Sequence, residues 1–168
     1  MLRAMMWDPQ TLDRDFKTMM QDFVARFTNQ TVSTADFQGV IENHMKPAMD
    51  LTGDGRMDWF FNEWPHGADV STCRLEYSLR PEGKDARGSI ALEGTLTQSG
   101  VAPSFRMPVP VFAERGGKTY RVCVVALQGN SSGECRASLT TRPKRVLLNF
   151  NHDVLTDKQE VRAVSAPL

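Results

Sequence analysis

Histidine, cysteine and tyrosine are scarce in this 168-residue chain, which has three, three and two of them respectively. His44, His66 and His152 are so far apart that no two fall within one helix turn, which excludes the i, i+4 histidine pair of a helical zinc site. Cys73, Cys123 and Cys135 are odd in number and show no C-x-x-C spacing, so neither a zinc knuckle nor a disulfide framework is implied. Cys123 and Cys135 stand where a hairpin could bring them face to face, and buried free thiols are the preferred reading. Net charge of one sign is also missing. Twenty basic and twenty acidic side chains cancel, leaving no electrostatic footprint for a nucleic acid or an anionic membrane. No run approaches the roughly 18 apolar residues that span a bilayer, and MLRAMMWDP lacks the pattern of a signal peptide. Asn29-Gln30-Thr31 and Asn130-Ser131-Ser132 fit the glycosylation pattern, which is too short to carry weight alone.

What is present divides into two halves of different period. Asp8 suits an N-cap with Pro9 at the first helical position, and Leu12, Phe16, Met19, Met20, Phe23, Val24 and Phe27 follow at three- and four-residue steps. This predicts an amphipathic helix from Asp8. Ser33 and Asp36 form an approximate capping box, with Val32 placed to staple onto Phe37, and a second helix carries Phe37, Val40, Ile41 and His44 inward until Pro47 ends or kinks it.

Beyond Gly67 the period drops to two. Cys73, Leu75, Tyr77 and Leu79 alternate with Arg74, Glu76, Ser78 and Arg80, and Ile90, Leu92, Gly94 and Leu96 repeat the pattern. FRMPVPVFAER alternates too, but Pro108 and Pro110 remove ladder donors on one side, which predicts an edge strand or a bulge. Turn chemistry at Pro81-Glu82-Gly83, Gly116-Gly117 and Gly129-Asn130 separates about six strands. The expected fold is therefore α+β: a helical segment over 1–66 followed by an antiparallel, immunoglobulin-like β-sandwich over 67–168. The boundary is placed at Trp64-Pro65-His66-Gly67-Ala68.

DLTGDGRMDWFFNEW, residues 50–64, starts like a calcium loop. Asp50, Thr52, Asp54 and Asp58 fall at ligand positions with Gly55 in sixth place, but Phe61 occupies the position of the closing bidentate Glu. The preferred reading is a helix connection. Gly53 and Gly55 supply the turn, and Asp58 caps a short helix carrying Trp59, Phe60, Phe61 and Trp64, expected to be buried. His44 reads as a packed, hydrogen-bonded histidine, His66 and His152 as turn residues. Arg142-Pro143-Lys144-Arg145 reads as a solvated strand entrance that could hold an anion. Cys123 paired with a histidine is not read as a nucleophilic site.

MLRAMM, then Phe16 to Phe23, then Ser33-Thr34-Ala35-Asp36-Phe37, then Asp58 to Trp64 resemble, in order, the C-terminal helices of the catalytic domain in zinc aminopeptidases of the membrane alanyl aminopeptidase family. Leu92 to Gly100, Phe105 to Val111 and Pro143 to Asn149 are similar to the β-sandwich that follows there. The linker departs from that pattern. The resemblance spans roughly Met1 to Lys158 and implies a non-catalytic C-terminal fragment of a bacterial metallopeptidase that buttresses its catalytic domain. The H-E-x-x-H zinc site, the amine-binding G-x-M-E-N and the Y-x-K-G tyrosine would lie before Met1. The implied parent hydrolyses N-terminal residues from peptides and is periplasmic or secreted; the chain itself is expected to be inactive.

No catalytic, cofactor-binding or metal-ligating residue is assigned within the chain, whose expected partner is its own upstream catalytic domain. Nucleic acid and membrane are not expected partners. Self-association is expected through a sticky face of Met5, Met6, Phe16, Met19, Met20 and Phe23. The alternative reading is an immunoglobulin-like module that grips protein or sugar.

Overall fold

The computed structural model describes residues 1–64, 67–82 and 89–165. It divides into two units, Met1–Ala68 and Asp69–Leu168. The first contains α1 (Leu2–Met6), α2 (Arg14–Phe27), α3 (Thr34–Asn43), a 3-10 turn at Pro47–Met49 and α4 (Asp58–Glu63).

Asp8 does not start the long helix. Its carboxylate accepts from the Gln10 and Thr11 amides at 2.8 and 3.3 Å, closing a turn that leaves Leu12 at φ 55° and 59 % exposed, and α2 begins only at Arg14. An Asp oxygen that satisfies amides two and three residues on supports a turn as well as it supports a helix start, and the left-handed Leu12 interrupts the helix. The capping box of α3 forms as the sequence suggests, with Ser33 accepting from the Asp36 amide at 3.2 Å and Asp36 accepting from the Ser33 amide at 2.9 Å. Two nearby donors are thereby satisfied. The helix stops at Asn43, ahead of Pro47.

Met6, Met19, Val40, Ile41, Met49, Met57, Trp59, Phe60 and Phe61 form the buried core of this unit. Phe37 stands edge-on to Phe23 and Phe61 with centroids at 4.9 and 6.4 Å, a favourable arrangement for ring quadrupoles. The expected sticky face is therefore smaller than its sequence pattern suggested. Met6 and Met19 are fully buried, while Met5, Phe16, Met20 and Phe23 are half-buried around them.

Among the described residues the second unit has seven strands: β1 (Ser71–Pro81), β2 (Ile90–Ser99), β3 (Arg106–Arg115), β4 (Lys118–Gln128), β5 (Ser132–Leu139), β6 (Arg145–Leu148) and β7 (Thr156–Ala163). They build two sheets, ordered β5-β2-β1-β7 and β4-β3-β6, consistent with a sandwich. The four-stranded sheet is mixed rather than antiparallel, because β7 runs parallel to β1 from the Ser71↔Thr156 pair to Tyr77↔Ala163. The segment read as a C-terminal turn is a turn followed by this strand. Asn149, at φ 47° and 1 % exposed, holds the turn by exchanging two hydrogen bonds with Val154, at 2.8 and 3.1 Å, and the chain then enters β7.

Gly116 and Gly117, at φ 56° and 72°, make a two-residue connection between β3 and β4 of the kind that suits a twisted hairpin. β3 is central rather than an edge. Its prolines are nevertheless placed where a missing donor matters least: β6 pairs only with Val111 to Glu114, so Pro108 and Pro110 lie on the half of β3 that has a single ladder, with β4. A register shift between Val111 and Phe112 supplies the bulge.

Candidate functional site

The free-thiol expectation for Cys123 and Cys135 is overturned by a disulfide between them, with Cα atoms 6.0 Å apart. The bond does not cross a hairpin ladder. β4 belongs to the three-stranded sheet and β5 pairs with β2, so the disulfide joins the two sheets. Close approach at this seam also depends on Gly133, where a Cβ would stand 2.5 Å from Val125 Cγ1. Cys73 remains a buried thiol, held well into its neutral range by burial and opposed only by a hydrogen bond with Ser71.

The calcium-like loop is occupied with its own backbone. Asp50 accepts from the Gly53 and Asp54 amides at 2.8 and 3.1 Å and, through its other oxygen, from Gly55 at 3.1 Å. Gly53 and Gly55 take φ 76° and 71°, which aims those amides inward. Asp54 accepts from the Thr52 hydroxyl and the Arg56 amide. Asp58 does not cap α4. The cap position is Met57, whose amide donates to Glu42 at 2.9 Å, and Asp58 is bound by Arg56 at 2.6 and 3.1 Å and by Gln38 at 2.6 Å. One residue inside the helix, the Asp58 side chain meets Arg56 of the preceding loop and Gln38 of α3 instead of its own first-turn amides. Arg56 first, then Gln38, hold the Asp58 carboxyl below its usual range. Among the described residues no three His, Cys, Asp or Glu side chains gather as a metal-binding group.

His44 lies at the C-terminal end of α3 and donates through Nε2 to Asp22 Oδ2 at 2.9 Å, while Arg26 donates to Asp22 Oδ1 at 2.8 Å. Both Asp22 oxygens are thus engaged. The pair ties α2 to α3, and the hydrogen bonds, His44's first, keep the Asp22 carboxyl below its ordinary range against a smaller effect of burial. His152 sits in the turn ahead of β7 at φ 56°, and His66 lies outside the described residues. Trp59, Phe60 and Phe61 are buried, with the Trp59 indole donating to the Met49 carbonyl at 3.1 Å. They form core, and Trp64, expected to be buried with them, is half-buried against it.

Asn130 of the second glycosylation-like triplet uses its amide to hold Val101, accepting at 3.2 Å and donating at 3.0 Å. Among the described residues no helix is long and apolar enough to cross a membrane.

Two concavities occupy one end of the β unit. The larger, about 360 Å³, is bordered by Tyr77, Ser78 and Leu79 at the end of β1, by the strand entrance Arg142-Pro143-Lys144, and by the last residues of β7 and those that follow it. The smaller, about 200 Å³, lies on the other side of Pro143 and includes Arg115, Tyr120 and Thr140. Arg115 is committed there, with its guanidinium 5.8 Å from the Tyr120 ring and hydrogen bonds to Thr140 and Thr141. Glu114 is matched by Arg145 at 2.5 Å and reaches Lys144 only at 3.9 Å. Sequence reasoning identified the basic segment but not the apolar surface beneath it. That surface comes from β6 and the end of β7 together with β1, which lies more than sixty residues earlier in the chain, with no local signature. No protein-family model matches the chain, and no curated protein matches it.

Proposed function

We propose that the chain is a non-catalytic part of a zinc aminopeptidase, with its helical unit belonging to the end of the catalytic domain and its β unit acting as a buttress. The parent would remove N-terminal residues from peptides using zinc held outside this chain. The supporting observation is where the architecture changes. The helical unit ends at Ala68, directly after the aromatic helix α4, and the two-sheet unit begins there. That order matches the order of the resembling motifs.

The β unit takes an immunoglobulin-like arrangement in this reading. Its support is the way the chain alternates between sheets: the β1-β2 pair in one, the β3-β4 pair in the other, then β5, β6 and β7 in turn. Fold likeness alone does not carry function, so the test is genetic and biochemical. Sequencing the DNA upstream of Met1 is expected to show an open frame continuing into Y-x-K-G and H-E-x-x-H. An in-frame stop beside a promoter and ribosome-binding site would overturn the proposal, as would stoichiometric zinc with chelator-sensitive aminopeptidase turnover in the purified chain.

A further inference from the structure

We infer that the larger cleft of the β unit binds the C-terminal carboxylate of a peptide ending in an aliphatic residue. Two features coincide there. Arg142 and Lys144 enter the cleft from one strand entrance, and no carboxylate lines it among the described residues. The adjacent Glu114 is held chiefly by Arg145 at 2.5 Å and reaches Lys144 only at 3.9 Å, a loose pair that leaves the Lys144 ammonium 77 % exposed. An oxyanion accepting from a guanidinium makes short, charge-assisted hydrogen bonds, and a planar carboxylate can meet Arg142 with both oxygens.

The second feature selects among oxyanions. Leu79, Val146, Val164 and Pro143 give the cleft an apolar side against the two cations. A phosphate ion has nothing to place on that surface. A terminal residue carries a carboxylate and an aliphatic side chain on one Cα, so it fills both parts at once, and a space of about 360 Å³ admits one or two residues. Capture of a peptide's terminal carboxylate is a recurring recognition mode, met here by side-chain cations in place of backbone amides. The inference is independent of whether the chain supports a catalytic domain.

The test is a nuclear magnetic resonance titration of the full chain with N-acetyl-alanyl-leucine, its C-terminal amide, and inorganic phosphate. The free acid is expected to give saturable shifts confined to residues 77–79, 142–146 and 163–165. The amide and the phosphate should each bind about tenfold or more weakly, and Arg142→Gln with Lys144→Gln should weaken the acid by about tenfold per cation removed. Because both side chains lie at the surface, the variant spectrum should be unchanged elsewhere. Equal binding of acid and amide would overturn the inference, as would shifts centred outside the cleft. Phosphate binding as tightly as the acid would make this a simple oxyanion site and reject the peptide assignment. Should the double variant fail to fold, the comparison of acid with amide on the native chain decides.

Discussion

Cys123 and Cys135 are covalently joined although the strands that carry them, consecutive along the chain, sit in different sheets. A bond placed this way closes a short loop of chain and holds the sheets together at one seam.

Reduction, or replacement of both residues by Ala, should therefore destabilise the β unit by about 2–4 kcal/mol. Denaturant unfolding with and without reductant measures the difference. In the native, unreduced protein, thiol titration after unfolding should find one reactive group, Cys73.

Gly133 should resist any side chain. Ala there would put its Cβ 2.5 Å from Val125 Cγ1 and 3.1 Å from Leu127 Cδ2, an overpacking expected to cost about 1–3 kcal/mol. Combining Gly133→Ala with Val125→Ala should recover part of that loss. Strict additivity of the two would contradict the close approach.

Trp59 is 4 % exposed and its indole N–H meets the Met49 carbonyl. Trp59→Ala should cost about 3–5 kcal/mol. Trp59→Phe keeps much of the ring but removes the indole bond, leaving the Met49 carbonyl its bond from the Leu51 amide at 3.0 Å, and should cost about 0.5–1.5 kcal/mol for the hydrogen bond. Thermal or denaturant unfolding of the two variants ranks them: a negligible loss in Trp59→Phe would show that the hydrogen bond contributes little, and equal losses would show that the ring's packing does.

Asp22 makes the helical unit sensitive to acid. Its carboxyl is depressed below the ordinary value of 3.8, chiefly by the His44 hydrogen bond and then by Arg26. Near that value the unfolded chain binds more protons than the folded one, so stability rises with pH. The contribution is present above the ordinary value and lost as pH falls through the depressed one. Asp22→Asn should flatten the pH dependence of unfolding below pH about 4. Denaturation midpoints across that range provide the check.

The features legible in the sequence are those whose partners are close along the chain. Ser33 and Asp36 are three residues apart, and their capping box formed as the pattern suggested. Gly116-Gly117 marked a tight turn because positive φ is a local requirement met by glycine. Alternation was readable for the same reason in β2, and in β1 as far as Leu75; beyond it Ser78 is buried while Tyr77 and Leu79 are half-buried, against the pattern. Asp8 shows where local chemistry is ambiguous, since an Asp that satisfies nearby amides suits both a helix cap and the turn it makes.

Tertiary structure decided whatever depended on which strand lies next to which. Pro108 and Pro110 argued for an edge or a bulge; β3 is central and carries a register shift at Val111/Phe112, and β6 is too short to pair with either proline, so both lie where β3 has one ladder. The spacing of Cys123 and Cys135 suggested a hairpin, but β5 pairs with β2, so the cysteines meet between sheets. β7 made the sheet mixed by returning beside β1, more than seventy residues away in the chain. The candidate site divides along the same line. Sequence alone placed Arg142 and Lys144 at a strand entrance; only the packing of β1, β6 and β7 set an apolar surface beside them, because long-range pairing leaves no mark within any one segment.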